Sequence, residues 1–161
     1  MTATNDRRAT VTTPTDTQIL ITREFDAPRE LVYQAFTTPE LLRRWWHANR
    51  CEVLGIEMDV RVGGNWRWAA KAFNGYEFAF YGEYREVVPD ERLVTTETFS
   101  GVPTAQAVNT TTFTEKDGRT HLEILVAHQT RANRDEHLQS GMEDGLQDAL
   151  TLLEELVREQ I

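Results

Sequence analysis

The chain has 161 residues, 40% of them hydrophobic, and carries 17 Lys+Arg against 26 Asp+Glu for a net charge of −9. That length suits one globular domain, and the acidic balance excludes a phosphate-binding surface for nucleic acid or anionic membrane. A single cysteine, Cys51, allows no internal disulfide and fits a reducing compartment, so a cytoplasmic location is expected.

No apolar run is long enough to span a membrane, and the first residues lack the apolar core of a signal peptide. Only two basic residues, Lys71 and Lys116, are lysines, a bias expected of a GC-rich bacterial genome.

Residues 1–16 (MTATNDRRATVTTPTD) are polar and threonine-rich without periodicity, and read as a disordered leader. The folded domain is expected over 17–161. In its first strand Ile19, Ile21 and Phe25 alternate with Leu20, Thr22 and Glu24. Two short helices follow, one opening at Asp26-Ala27-Pro28 and one at Thr38-Pro39-Glu40, with Thr38 as N-cap. Leu31, Val32, Ala35 and Phe36 form the buried side of the first; Leu41, Leu42, Trp45 and Trp46 supply the second.

The middle of the chain reads as antiparallel sheet, with strands over 51–58, 60–62, 65–73, 76–88, 92–99, 107–115 and 120–129. Asn74-Gly75 predicts a type I′ hairpin turn, Pro89-Asp90 another turn, and Lys116-Asp117-Gly118 the last hairpin.

One helix is expected over 138–157, where Leu138, Met142, Leu146, Ala149, Leu150, Leu153, Leu156 and Val157 form an apolar stripe. Glu143, Asp144, Gln147, Asp148, Thr151, Glu154 and Glu155 are assigned to the solvated side. Gly141 and Gly145 disfavour a helix by up to about 1 kcal/mol each. Close helix–sheet approach or clearance for a ligand would offset that. A long helix on a curved sheet can leave a cavity, which suggests small-molecule binding.

Three segments carry a resemblance. ITREFDAPRELVYQAFTTPELLRRWW, DVRVGGNWRW and YGEYREVVPDERLVTTETF resemble START-like (SRPBCC, helix-grip) proteins of the Hsp90-ATPase-activator-homologue type. The likeness runs from about Gln18 to Val157. It departs at Gly141-Met142, where members usually have Gly-Trp. The resemblance implies an α+β helix-grip fold: a curved antiparallel sheet wrapped around the C-terminal helix, two short helices after the first strand, and a hydrophobic cavity. It does not imply chaperone activation, because the fold hosts many functions.

Candidate ligand-binding residues follow from side-chain parity. Trp66 and Trp68 share one side of their strand, and Phe78, Phe80 and Tyr84 share one side of the next. With Met142 and Leu146 opposite, they line a pocket or fill a core. His128 has the parity of Leu122, Ile124 and Val126, so it is either a polar group in the cavity or a hydrogen-bonded strand end. His47 is expected in a loop, and His121 and His137 show no partner spacing. Glu97, Asn109 and Thr111 could orient a ligand, although threonine also simply favours strands.

No zinc-ligand spacing, nucleophile elbow or phosphate loop is present, so no metal, catalytic nucleophile or cofactor is expected. The leading expectation is a soluble binding protein for a small hydrophobic or amphipathic ligand. The alternatives are a cyclase or hydratase using His128 or a pocket carboxylate, and a cochaperone-like interaction module presenting Trp45 and Trp46. A homodimer is compatible with the open sheet edges.

Overall fold

A computed structural model describes residues 8–161. Eight strands make one antiparallel sheet: β1 (Thr10–Thr12), β2 (Gln18–Phe25), β3 (Cys51–Met58), β4 (Asn65–Ala72), β5 (Glu77–Val88), β6 (Arg92–Phe99), β7 (Gln106–Lys116) and β8 (Arg119–Ala127). Their order is β1-β2-β8-β7-β6-β5-β4-β3, so the first long strand closes against the last. Helices α1 (Arg29–Thr37) and α2 (Pro39–Leu42) carry the chain from β2 to the far edge at β3. Helices α3 (Arg131–Gln139) and α4 (Met142–Glu159) follow β8.

The core lies between the concave sheet face and α4. Ile19, Ile21 and Phe25 of β2 and Leu122 and Val126 of β8 meet Leu150, Leu153, Leu156 and Val157 of α4, all buried. Each such side chain contributes roughly 1.5–3 kcal/mol before entropy is counted. Two period-3.6 rows on α4 and the period-2 rows of the strands therefore converge on one apolar layer.

The C-terminal region differs from the single helix expected over 138–157. It is two helices, broken at Gly141, whose φ of +85° is left-handed and ends the α3 direction. Gln147 and Glu154 are not solvated either; both are 8% exposed. Gln147 exchanges hydrogen bonds with the Ala9 backbone, its Oε1 accepting from the amide at 2.9 Å and its Nε2 donating to the carbonyl at 2.8 Å. The side-chain amide thus docks the chain just before β1.

This docking corrects the expected leader. Thr10–Thr12 pairs with Leu20, Ile21 and Thr22 as an edge strand, and Ala9 is buried. Residues 1–7 of that leader lie outside the described residues.

Glu154 pairs with Arg23, 2.7 Å from its guanidinium, and accepts from the Asp26 amide at 3.3 Å. Arg23 has the core-facing parity of Ile19, Ile21 and Phe25; its charge is satisfied by Glu154, by the Glu24 carbonyl at 2.6 Å and by the Phe25 ring at 4.6 Å.

Two sheet details also differ. Residues 60–62 form a loop, because the Asp59 amide donates to Asn65 O and the Gly64 amide to Arg61 O, folding the chain back on itself. The 73–75 turn is a three-residue loop rather than type I′: only Gly75 has positive φ (+95°), and the Gly75 amide donates to Ala72 O. The paired positive φ values occur instead at Asp117 (+55°) and Gly118 (+77°).

Candidate functional site

Strand pairing sets the site's wall. Trp68 lies opposite Phe80, and Phe80 opposite Phe99, so three neighbouring strands place aromatic rings on one face. Trp66 faces Gly82, and its Nε1 donates across that residue to the Thr96 carbonyl at 3.2 Å. A Cβ on residue 82 would lie 1.9 Å from that same oxygen, so glycine is what lets the indole cross β5 to reach β6.

The aromatic wall is continuous. Trp66 and Trp68 rings are 4.6 Å apart, Trp46 stands edge-on to Trp68 at 5.6 Å and to Phe80 at 6.1 Å, and Phe80 meets Phe99 at 5.1 Å. Trp46 reaches this face from the turns after α2, while Trp45 is 5% exposed and donates to Ala35 O at 3.0 Å. These tryptophans therefore face inward and do not form the exposed patch considered for an interaction module.

Above the wall, Met142, Leu146 and Leu150 of α4 close an inner lobe of about 380 Å³. An outer lobe of about 650 Å³ extends toward α3 and the loop around Val102. The lobes share Phe80, Glu97, His137 and Met142. Both volumes fall within the range of pockets that take small molecules. Gly145 lies on the inner lobe, and a Cβ there would meet only Arg50 Cδ, at 3.8 Å. Close helix–sheet packing thus does not account for the glycine, and the space beside it is open.

Of the eight candidate residues, Trp66, Trp68, Phe78, Phe80, Tyr84, Met142 and Leu146 all border the inner lobe. His128 borders only the outer one. Burial pushes the Tyr84 hydroxyl far up from its usual range, with Tyr33 and Asp59 adding to the effect, so it stays protonated.

Glu97 and His137 border both lobes, with Asn109 on the inner lobe and His128 on the outer. Glu97 accepts from Asn109 Nδ2 at 2.7 Å through Oε1. Burial raises the Glu97 pKa, and the Asn109 hydrogen bond partly opposes the rise. Two wall atoms, Trp68 Nε1 and Asn109 Oδ1, are covered yet take part in no hydrogen bond with the described residues. Each such atom costs about 1–3 kcal/mol.

His128 Nε2 and His137 Nδ1 are 3.0 Å apart, so one imidazole donates to the other. Burial lowers both pKa values. Arg134 adds to the effect at His128, and His128 adds to it at His137, which falls to about 4. Both rings are neutral at neutral pH. His128 is thus a hydrogen-bonded strand end and a cavity residue at once. His137, set aside for want of a partner spacing, has one through the fold. The Thr130 N-cap, accepting from the Asn133 amide at 3.0 Å, starts α3 early enough to bring His137 back against the end of β8. A Thr-x-x-Asn start signal at 130–133 could have located that helix. His121 also has a partner, a short contact with Glu24 on the outer surface.

Among the described residues, no cluster of three or more His, Cys, Asp or Glu could hold a metal ion. No helix there is long and apolar enough to cross a membrane.

A family model described as Activator of Hsp90 ATPase homolog 1-like protein matches residues 26–158. Among solved structures, a Rhodobacter sphaeroides protein is 22% identical with a TM-score of 0.89, covering 94% of this chain and 99% of its own. A Chromobacterium violaceum protein is 33% identical with a TM-score of 0.74, covering 89% and 98%. CalU16 from Micromonospora echinospora is 23% identical with a TM-score of 0.62, covering 88% of this chain and 65% of its own. These likenesses establish the helix-grip architecture, as expected from the sequence. No curated protein matches the chain.

Proposed function

From a chain that belongs to the Activator of Hsp90 ATPase homolog 1-like family, we propose a binding protein for a small hydrophobic or amphipathic molecule, held between the sheet and α4. The observation that carries this reading is the two-lobed cavity, about 380 and 650 Å³, with an aromatic wall and with Glu97 and His137 bordering both lobes. A few polar groups in an apolar concavity fix a ligand's orientation while burial supplies its affinity. Met142, where relatives of this type usually have a ring, contributes a flexible thioether that can adapt to the occupant.

An acid–base enzyme is less well supported. Glu97 hydrogen-bonds Asn109, and the two histidines hydrogen-bond each other, so carboxyl and imidazole are not joined into one catalytic pair.

The test is Leu146→Trp, which places an indole in the inner lobe from the helix side. Titration with the neutral apolar dye Nile red should give saturable fluorescence enhancement with the wild-type protein and none with the variant. Far-UV circular dichroism should be unchanged. Enhancement that survives the substitution would sink the pocket assignment.

A further inference from the structure

We infer, resting on the binding-protein reading above, that the ligand carries a protonated amine, with Glu97 as its counter-ion and the aromatic wall as its seat. The argument is one of charge. Among residues bordering the inner lobe, Glu97 is the single carboxylate, and Arg50 the single Lys or Arg. Arg50 is already held by Asp148, at 3.1 Å through Nε and 2.8 Å through Nη2, and is half exposed at the rim. The outer lobe adds Glu136 and no Lys or Arg. An anionic ligand, such as a fatty acid, would bring a carboxylate toward Glu97 with no free cation to receive it. Its desolvation would go uncompensated.

Hydrogen-bond accounting points the same way. Asn109 donates to Oε1 of Glu97. Asn109 Oδ1 is covered and takes part in no hydrogen bond with the described residues. An ammonium offers three donors and no acceptor, so it can serve both the carboxylate and that orphan acceptor. The covered Trp68 Nε1 is a donor, but it brings no charge.

The rings complete the seat. Phe99 is two residues along β6 from Glu97 on the same face, and Phe80 packs on it. Trp66 is hydrogen-bonded to Thr96, the residue before Glu97. Aromatic faces attract a desolvated cation through their quadrupoles, which a neutral or anionic group does not exploit. Burial raises the Glu97 pKa in the empty protein, and an ammonium partner would favour its ionised form.

Three probes of matched shape test this by isothermal titration calorimetry at neutral pH: naphthylmethylamine, naphthylmethanol and naphthoate. The amine should bind most tightly and the carboxylate most weakly. Glu97→Gln should erase the amine's advantage over the alcohol, on the order of tenfold. If the alcohol or the carboxylate binds wild-type protein as tightly as the amine, the inference is overturned and the binding-protein reading stands. The same holds if Glu97→Gln retains the amine preference. Should Glu97→Gln fail to fold, the wild-type order of the three probes decides. If none of the three binds, the binding-protein reading itself fails and takes the inference with it.

Discussion

Replacing Gly145 with alanine should stabilise this protein, whereas the same change at Gly141 should destabilise it. Gly145 sits near the start of α4 in helical conformation, and a Cβ there meets only Arg50 Cδ, at an ordinary contact distance of 3.8 Å. Alanine is favoured over glycine in a helix interior by about 0.8–1.0 kcal/mol, with no clash to subtract. At this chain length, each kcal/mol moves Tm by about 2–4 °C. Gly141 also has open space around it, but its φ is +85°. A Cβ there costs about 1–2 kcal/mol from backbone conformation alone. Thermal unfolding of both variants, followed by circular dichroism, should therefore show shifts of opposite sign. A destabilised Gly145→Ala would mean that α4 lies closer to the wall than the cavity requires, and would refute the clearance argument.

Two further substitutions probe what holds α4 in place and how the cavity mouth titrates. Arg23→Met should cost about 3–5 kcal/mol, because it leaves the Glu154 carboxylate, whose side chain is 11% exposed, without its buried cation. Urea denaturation reads this directly, and a loss below about 1 kcal/mol, the scale of an exposed pair, would contradict the burial argument. At the His128–His137 pair, both folded pKa values lie below the unfolded value of 6.5. The unfolded chain then binds more protons, so the pair makes stability fall as pH drops from 6.5 and level off only below the His137 pKa of about 4. The charged groups around the pair are Arg134 and Glu136 on α3 and Glu97 across the cavity. His137→Gln should flatten this part of the profile, measured by denaturation at several pH values; an unchanged slope would refute it.

The sheet was legible in the sequence because its rules are local. Period-2 alternation gave 51–58 and 92–99 to the residue, and the turn chemistry placed the last hairpin. Strand parity grouped Trp66, Trp68, Phe78, Phe80 and Tyr84, the helical stripe supplied Met142 and Leu146, and all seven border one lobe. What was not legible depends on partners far apart in sequence. Glu154 reads as a solvated charge, yet it pairs with the buried Arg23 across 131 residues. Gln147 appears polar and exposed until a backbone segment 138 residues away is found to need its amide. His137 could be matched to His128 only through the turn of α3 back against the end of β8. Within α3 and α4 the apolar stripe is continuous in number but not in direction, and periodicity cannot see a left-handed residue.

The central claim, that the cavity holds a small molecule, is tested most directly by native mass spectrometry of protein purified without detergent and then equilibrated with Nile red. Wild-type protein should carry one small molecule per chain, either a co-purified species of defined mass or the dye, and Leu146→Trp should carry neither. Spectra showing only the bare chain mass for both proteins would contradict the account.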